Sequence, residues 1–233
     1  VIGQMSAGLT HEYNQPLAAI KTYADNASRM IERGKTDAVP DVLTRIGQMV
    51  DRMSALSKTL LAFSRKPTTA LAPASVGSVV SEALMLVGQK AKKAGVAITT
   101  DIEPGLTAHT GPIRLSQIIV NLVGNAVDAL GGVEGRAKPG ARVAISARRE
   151  DDRTRIEIAD NGPGIAPELR SHIFEPFFTT KPVGAGLGLG LSIVDSVVRD
   201  LQGTVRVEDP REGTGACFVI DLPASGIEAE AAE

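Results

Sequence analysis

The strongest constraint on the fold is a set of apolar residues that recur at alternating spacings of four and three. This spacing places them in one stripe along a single helix: Val42, Ile46, Met49, Met53, Leu56, Leu60 and Phe63. A similar stripe lies upstream: Tyr13, Leu17, Ile20, Ala24, Ala27 and Ile31. Residues 34–40 begin with glycine and end with proline, which favours a loop between two helices. Residues 1–66 are therefore predicted to form a helical hairpin.

Each stripe needs an apolar partner, and two helices of this length cover each other poorly. We expect two hairpins to pair into a four-helix bundle, so that the protein is a homodimer. A solitary hairpin is the alternative reading of the same pattern.

A change of composition marks a second domain. The prolines of residues 1–66 are Pro16 and Pro40, whereas the remaining chain is rich in glycine and proline and alternates between helical and strand patterns. Residues 67–75 are predicted as a linker, 76–223 as the second domain and 224–233 as a flexible tail. Helices are predicted at 76–94, from 111 onward and at 188–201, and strands at 96–101, 142–149, 153–159, 204–208 and 215–222. This order predicts helices on one face of a mixed sheet, and an α+β class for the chain.

Composition excludes several functional classes. A net charge of −2 and a pI near 6.0 provide no basic field that attracts nucleic acid. Cys217 is the only cysteine, which rules out an intrachain disulfide and favours a reducing compartment. No apolar run approaches the ~18 residues of a membrane span, and no signal-peptide pattern is present. Because the chain starts at Val1 within a helical pattern, we expect it to be a cytoplasmic piece of a larger protein.

Two blocks of the second domain carry side chains suited to binding. Asn121 and Asn125 lie four apart on one helical face, and amide oxygens suit a Mg²⁺ ion that already carries phosphates. The alternative is a pair of asparagines that bridge or cap within a core helix. Asp160 follows an apolar strand, where its carboxylate can accept a hydrogen bond from an exocyclic amine. The alternative is an ordinary turn aspartate.

Two further blocks are a glycine-rich run and a cluster of aromatics. The glycines at 184, 186, 188 and 190 lead into a helix whose free N–H groups favour a phosphate, with a solvated loop as the alternative. They do not fit G-x-G-x-x-G, and the P-loop-like Gly34-Lys35-Thr36 lacks the earlier glycine. Phe174, Phe177 and Phe178 suggest a loop that closes over a site, with ordinary packing as the alternative.

In order and spacing, these blocks resemble the N, G1, F and G2 boxes of the ATP-binding domain of sensor histidine kinases, in the superfamily of the gyrase, heat-shock-90 and mismatch-repair ATPases. The resemblance implies an α/β sandwich, the Bergerat fold, with ATP between helices and sheet. It implies that Asp160 recognises the adenine amine, that Asn125 holds Mg²⁺ and that Asn121 lies near the phosphates. It also implies a lid shaped by glycines: Gly162, Gly164, Gly186, Gly188 and Gly190.

One position departs from the family pattern. Many members carry a lysine three residues after the second asparagine, where this chain has Asp128. Lys181, which follows the phenylalanines, is the predicted phosphate contact in its place. The hydrolytic relatives carry a glutamate at the position of Asn121, and its absence favours phosphate transfer over hydrolysis.

The stretch THEYNQP at residues 10–16 resembles the phosphoacceptor box of the dimerising domain in the same kinases. His11 lies about 200° around the helix from Tyr13, so it is predicted to face solvent. A neutral imidazole has a free lone pair and is a nucleophile at cytoplasmic pH. Glu12 is predicted to hold its tautomer, with an ordinary exposed glutamate as the alternative.

Two neighbours modify this box. Pro16 is predicted to bend the helix one turn beyond His11. Gln15 lies on the face of His11, where the family often carries a residue that positions water for dephosphorylation of the regulator, so weak or regulated phosphatase activity is predicted.

The resemblance implies ATP-dependent autophosphorylation of His11 and transfer to an aspartate on a response-regulator receiver domain. The sequence of residues 11–27 is most similar to that of C4-dicarboxylate transport sensors, which are membrane-anchored and bacterial. Two other readings stay open: an ATP-gated dimeric clamp that forms no phosphoprotein, and a non-catalytic dimerising scaffold.

Overall fold

The computed structural model describes residues 2–64, 71–131, 137–181, 188–210 and 213–225, with side chains of the first two helices described at residues 14–51, 53, 54 and 57. The chain divides into two compact units, residues 1–67 and 68–233. No helix within the described ranges is both long and apolar enough to cross a membrane.

The first unit is a helical hairpin. Helix α1 spans Ile2–Glu32 and helix α2 spans Val39–Ser64, with a 3-10 turn at Thr36–Ala38 between them. Helix α1 ends at a left-handed glycine, Gly34, with φ of 69°, where the N–H groups of residues 34 and 35 close the last turn. Helix α1 continues through Pro16, which is buried.

A single partner helix covers only part of each apolar stripe. Four stripe residues of α2 are half-buried: Val42, Ile46, Met49 and Met53. The stripe of α1 is covered poorly by its partner helix, as expected for two helices of this length: Ala27 is buried, whereas Leu17, Ala24 and Ile31 are exposed. Leu43 and Val50 of α2 are exposed as well. The hairpin by itself therefore leaves apolar surface uncovered.

The second unit is an α/β sandwich. Its helices are α3 (Val76–Ala94), α4 (Pro112–Gly131) and α5 (Gly190–Asp200), and its main strands are β2 (Ala97–Ile102), β4 (Arg142–Glu150), β5 (Arg153–Asp160), β6 (Thr204–Glu208) and β7 (Cys217–Pro223). These strands form one sheet in the order β2-β4-β5-β7-β6. The pair β2–β4 is parallel and the other pairs are antiparallel, so the predicted mixed sheet is confirmed.

Two short strands were not predicted. Strand β1 (Pro73–Ser75) pairs antiparallel with β3 (Thr107–His109), and β1 occupies the end of the predicted linker. Three-residue strands carry too little alternation to be recognised in a sequence. Strand β1 leads directly into α3, whose N-cap Ser75 accepts a hydrogen bond from the N–H of Ser78 at 3.4 Å.

The core lies between the helices and one face of the sheet. Helix α4 packs between α3 and α5 and contacts β4 and β5. Its inner face is fully buried: Leu115, Ile118, Ile119 and Leu122. Along β5 the side chains alternate between buried and half-buried positions, so every second residue, and finally Asp160, points toward the helices.

Candidate functional site

The end of β5 places one carboxylate on the helix-covered face of the sheet. Asp160 is only 8% exposed. Its Oδ1 atom accepts hydrogen bonds from the backbone N–H groups of Gly162, at 2.9 Å, and Ala216, at 3.4 Å. Burial raises the pKa of Asp160, and these hydrogen bonds offset only part of that effect. No described residue donates to Oδ2, which is therefore available to a ligand.

Glycines keep the loop around Asp160 close to the carboxylate. A Cβ atom on Gly162 would lie 2.9 Å from Oδ1 of Asp160, and a Cβ atom on Gly164 would lie 2.7 Å from the carbonyl oxygen of Gly215. A larger residue at either position has to displace the neighbouring backbone or the carboxylate itself. The two predicted glycines thus shape this loop together with Gly215, which was not predicted.

Helix α4 presents its two asparagines to the start of α5. Asn121 and Asn125 are both half-buried. A Cβ atom on Gly190, the first residue of α5, would lie 3.4 Å from the side-chain oxygen of Asn121 and 3.4 Å from the side-chain nitrogen of Asn125. Asn121 donates to the carbonyl of Gln117 at 2.8 Å, while Asn125 bonds to no described residue. The first-turn N–H groups of α5 have no partner within the helix. The side-chain amides of Asn121 and Asn125 therefore lie next to free backbone N–H donors at the start of α5.

One turn beyond Asn125, the carboxylate of Asp128 forms ion pairs with two lysines. The Nζ atom of Lys181 lies 2.7 Å from Oδ2 of Asp128, and the Nζ atom of Lys90 on α3 lies 2.6 Å from Oδ1. Lys90 also donates to the carbonyl of Gly124 at 3.3 Å. Burial acts to raise the pKa of Asp128, but the hydrogen bonds from Lys181 and then Lys90 outweigh it, so that the pKa is lowered. The structure thus brings Lys181 to the helix of the asparagines, and its contact with phosphate stays a prediction.

The loop that carries Phe174, Phe177 and Phe178 contacts Gly188, two residues before the start of α5. The N–H of Phe177 donates to the carbonyl of Gly188 at 3.0 Å, and both residues have left-handed backbones, with φ of 68° and 64°. A Cβ atom on Gly188 would lie 2.5 Å from the carbonyl carbon of Phe177. Phe174 packs edge-on against Phe218 of β7, with 6.4 Å between ring centroids, so this aromatic belongs to the packing of the unit.

The predicted phosphoacceptor residues lie in α1. His11, Glu12 and Gln15 all fall within its unbroken helical span, and Gln15 is half-buried. The side chains of His11 and Glu12, and the whole of Gly186, lie outside the described residues. The roles predicted for these residues stay predictions.

Lys90 is the main site residue that sequence reasoning missed. It lies on the exposed side of α3 close to Lys92 and Lys93, and no local pattern distinguishes it from them. Only the packing of α3 against α4 brings it to Asp128. In the described part of the chain, no three His, Cys, Asp or Glu side chains come together as a metal site.

Comparison with family models identifies both units. Residues 110–226 match the family described as histidine kinase-, DNA gyrase B-, and HSP90-like ATPase. Residues 1–69 match the His Kinase A (phospho-acceptor) domain.

Curated relatives support the same assignment. The chain is 38% identical to the C4-dicarboxylate transport sensor protein DctB of Rhizobium meliloti, over 95% of this chain and 34% of that protein. It is 35% identical to the DctB protein of Pseudomonas aeruginosa, over 95% of this chain and 36% of that protein. The chain thus spans about a third of the length of these relatives.

Solved structures show similar folds. The full-length ShkA structure in complex with AMPPNP gives a TM-score of 0.64 at 30% identity, covering 82% of this chain and 39% of that one. The histidine kinase ThkA in complex with the response regulator protein TrrA gives a TM-score of 0.76 at 23% identity, covering 97% of this chain and 62% of that one, and shows the fold alone. With both family models matched in order, this chain belongs to the sensor histidine kinase family.

Proposed function

We propose that this chain is the catalytic core of a two-component sensor, which phosphorylates His11 from Mg-ATP and passes the phosphate to an aspartate on a response-regulator receiver domain. The observation that carries the proposal is the convergence of Asn121, Asn125 and Lys181 on one face of α4, beside the start of α5. This arrangement suits a triphosphate. Asp160 supplies a separate acceptor suited to a base.

Each group has a distinct task in holding the nucleotide. Oδ2 of Asp160 accepts a hydrogen bond from the exocyclic amine of adenine. The N–H groups at the start of α5 and the ammonium of Lys181 bind phosphate oxygens. The side-chain oxygen of Asn121 lies 3.4 Å from the place of a Cβ atom on Gly190, and its amide nitrogen donates to a phosphate oxygen.

Asn125 fits a magnesium site. Its amide oxygen is a hard ligand, its side chain is half-buried, and it bonds to no described residue. When bound, Mg²⁺ neutralises and orients the phosphate oxygens of the nucleotide.

In the proposed chemical step, the first unit supplies His11 and the second unit supplies the bound nucleotide. The unprotonated ring nitrogen of His11 attacks the γ-phosphorus, a nitrogen–phosphorus bond forms, and the bond to the bridging oxygen breaks so that ADP leaves with its electron pair. Glu12 accepts a hydrogen bond from the proton-bearing ring nitrogen and then stabilises the positive charge that develops on the ring. In the transfer to the receiver, a carboxylate oxygen of the aspartate attacks the phosphorus, an oxygen–phosphorus bond forms, and the nitrogen–phosphorus bond breaks so that the imidazole leaves with its electron pair.

The hairpin is proposed to act as a dimer. Leu43 and Ile31 each keep 57% of their surface exposed, and Leu17 and Val50 each keep 48%. A second hairpin that covers these side chains completes a four-helix bundle. The match of this unit to a phospho-acceptor domain supports the kinase over an ATP-gated clamp. Its likeness to C4-dicarboxylate sensors suggests the cytoplasmic part of a membrane-anchored bacterial sensor.

The test is incubation of the chain with Mg-ATP labelled at the γ-phosphate, followed by acid or alkali. Acid-labile, alkali-stable label that disappears in His11→Gln is the expected result. Label that persists in His11→Gln overturns the assignment of His11, and the absence of any label overturns the kinase function.

The dephosphorylation role of Gln15 has its own assay. A phosphorylated receiver domain is incubated with the chain, and with Gln15→Ala, and loss of phosphate is followed over time. Slower loss in Gln15→Ala is expected. A parent chain that removes no phosphate refutes this role.

A further inference from the structure

Asp128 carries a negative charge at the position where a phosphate-binding site needs positive charge. It lies three residues after Asn125 on α4 and is half-buried. Each of its carboxylate oxygens pairs with a different lysine: Oδ1 with Lys90 and Oδ2 with Lys181. The formal charge of the three groups is therefore +1, the same as that of a single lysine at position 128.

The two lysines reach Asp128 from different parts of the unit. Lys90 comes from α3, and its second hydrogen bond, to the carbonyl of Gly124, fixes its ammonium against the backbone next to Asn125. Lys181 comes from the loop that follows the aromatic residues, and its backbone N–H donates to the hydroxyl of Thr179 at 3.1 Å. Asp128 is therefore the point at which the loop lysine is attached to α4.

We propose that Asp128 is a positioning residue for the phosphate-binding lysine: it holds Lys181 beside Asn125, while Lys90 provides the countercharge that keeps the location positive. The three residues together replace the single lysine that many family members carry at this position. This inference rests on the proposed function, since it assumes that the bound nucleotide carries its phosphates to Asn125.

The direction in which Asp128→Asn changes the affinity for ATP distinguishes a positioning role of Asp128 from a purely electrostatic one. If Asp128 acted only through its charge, Asp128→Asn would remove a negative charge near the phosphates and strengthen ATP binding. If Asp128 positions Lys181, the same change frees that lysine and weakens ATP binding. We expect Lys181→Ala to weaken ATP binding about tenfold, and Asp128→Asn to weaken it about threefold.

The experiment measures Kd values of the 233-residue chain for ATP and for adenosine, together with the melting temperature of each variant. Adenosine lacks phosphates, so its Kd should stay unchanged in Asp128→Asn, Lys90→Ala and Lys181→Ala. A merely structural defect would instead raise the Kd values of both ATP and adenosine. Lys90→Ala should weaken ATP binding, while Lys93→Ala, an exposed lysine on the same helix, should not.

A rescue variant completes the test. Asp128→Lys combined with Lys181→Ala places a lysine directly on α4, and it should bind ATP more tightly than Lys181→Ala alone. ATP binding by Asp128→Asn that is equal to or tighter than that of the parent overturns the inference, as does a double variant no better than Lys181→Ala. These binding measurements require no phosphotransfer, so a parent chain that binds ATP but forms no phosphohistidine refutes the proposed function and leaves this comparison intact.

Discussion

Replacement of Asp160 by asparagine should change which base the site prefers. Oδ1 of Asp160 already accepts from the N–H groups of Gly162 and Ala216. In Asp160→Asn the amide oxygen has to take that place, since the opposite orientation would set an NH₂ group against two N–H donors. The new NH₂ group then occupies the position of Oδ2. In the proposed complex with ATP, it faces the exocyclic amine of adenine, donor against donor.

The expected loss is that of one hydrogen bond to a charged acceptor. Such a bond contributes about 1.5–3 kcal/mol, which corresponds to about a 10- to 150-fold increase in the Kd for ATP. Inosine triphosphate carries a carbonyl oxygen where ATP carries the amine, and it accepts a hydrogen bond from the new NH₂ group. The variant should therefore bind inosine triphosphate more tightly than the parent does.

The same substitution should stabilise the empty protein at neutral pH. No lysine or arginine among the described residues pairs with Asp160, and burial raises its pKa above the ordinary value of 3.8. The raised folded-state pKa means that the parent loses stability as pH rises through that value, whereas asparagine does not titrate. A gain of about 1 kcal/mol raises the melting temperature of a unit of this size by about 2–4 °C. The gain should vanish below pH 3.8.

Titration calorimetry with both nucleotides, and thermal melts at pH 7 and below pH 3.8, measure these effects. Asp152→Asn, at an exposed turn between β4 and β5, is the matched control. It should change neither the nucleotide affinities nor the melting temperature. An unchanged ratio of the two nucleotide affinities in Asp160→Asn would refute the assigned role of Oδ2.

Three other substitutions, two of them paired with a control variant, test the fold and the dimer. Gly188→Ala should cost more than about 1 kcal/mol, because its φ of 64° and the nearby backbone exclude a Cβ atom; Gly77→Ala, in open space on α3, should gain about 0.5–1 kcal/mol, and equal denaturation midpoints would contradict this. Asp221→Asn should cost about 1–2 kcal/mol at pH 7 by removing the partner of two arginines. Burial acts to raise the pKa of Asp221, but the hydrogen bonds from Arg155 and Arg206 outweigh it, so that the pKa is lowered and the deficit should shrink as pH falls below 3.8; thermal melts that show a constant deficit would argue against it. Val50→Lys should dissociate the dimer in sedimentation experiments, and Asn26→Lys should not; a dimeric Val50→Lys would exclude this face from the interface.

The periodic elements were predictable because each carries its own signal. Helix α3 was predicted at 76–94 and lies there, since a serine N-cap, an apolar stripe and Gly95 all mark it. Strand β6 also lies where it was predicted. The ends of β2, α5 and β7 differ by one or two residues, because helix and strand ends depend on caps and on pairing with neighbours.

Features that depend on distant pairings were not predictable. Strands β1 and β3 exist because they pair with each other across more than thirty residues. Lys90 reaches Asp128 only because α3 lies along α4. By contrast, the spacing of four predicts that Asn121 and Asn125 share one face of α4, and in the structure this face meets Gly190 at the start of α5.

The sheet order also has a consequence for assembly. Strands β2 and β6 form its two edges, and an uncovered edge is a template onto which another chain can add a strand. Both edges carry charge: Asp101 on β2 pairs with Arg148, and Arg206 on β6 pairs with Glu208 at 2.6 Å. A strand added from another molecule would have to strip water from these charges. These charges therefore disfavour edge-to-edge pairing of the second unit with another chain.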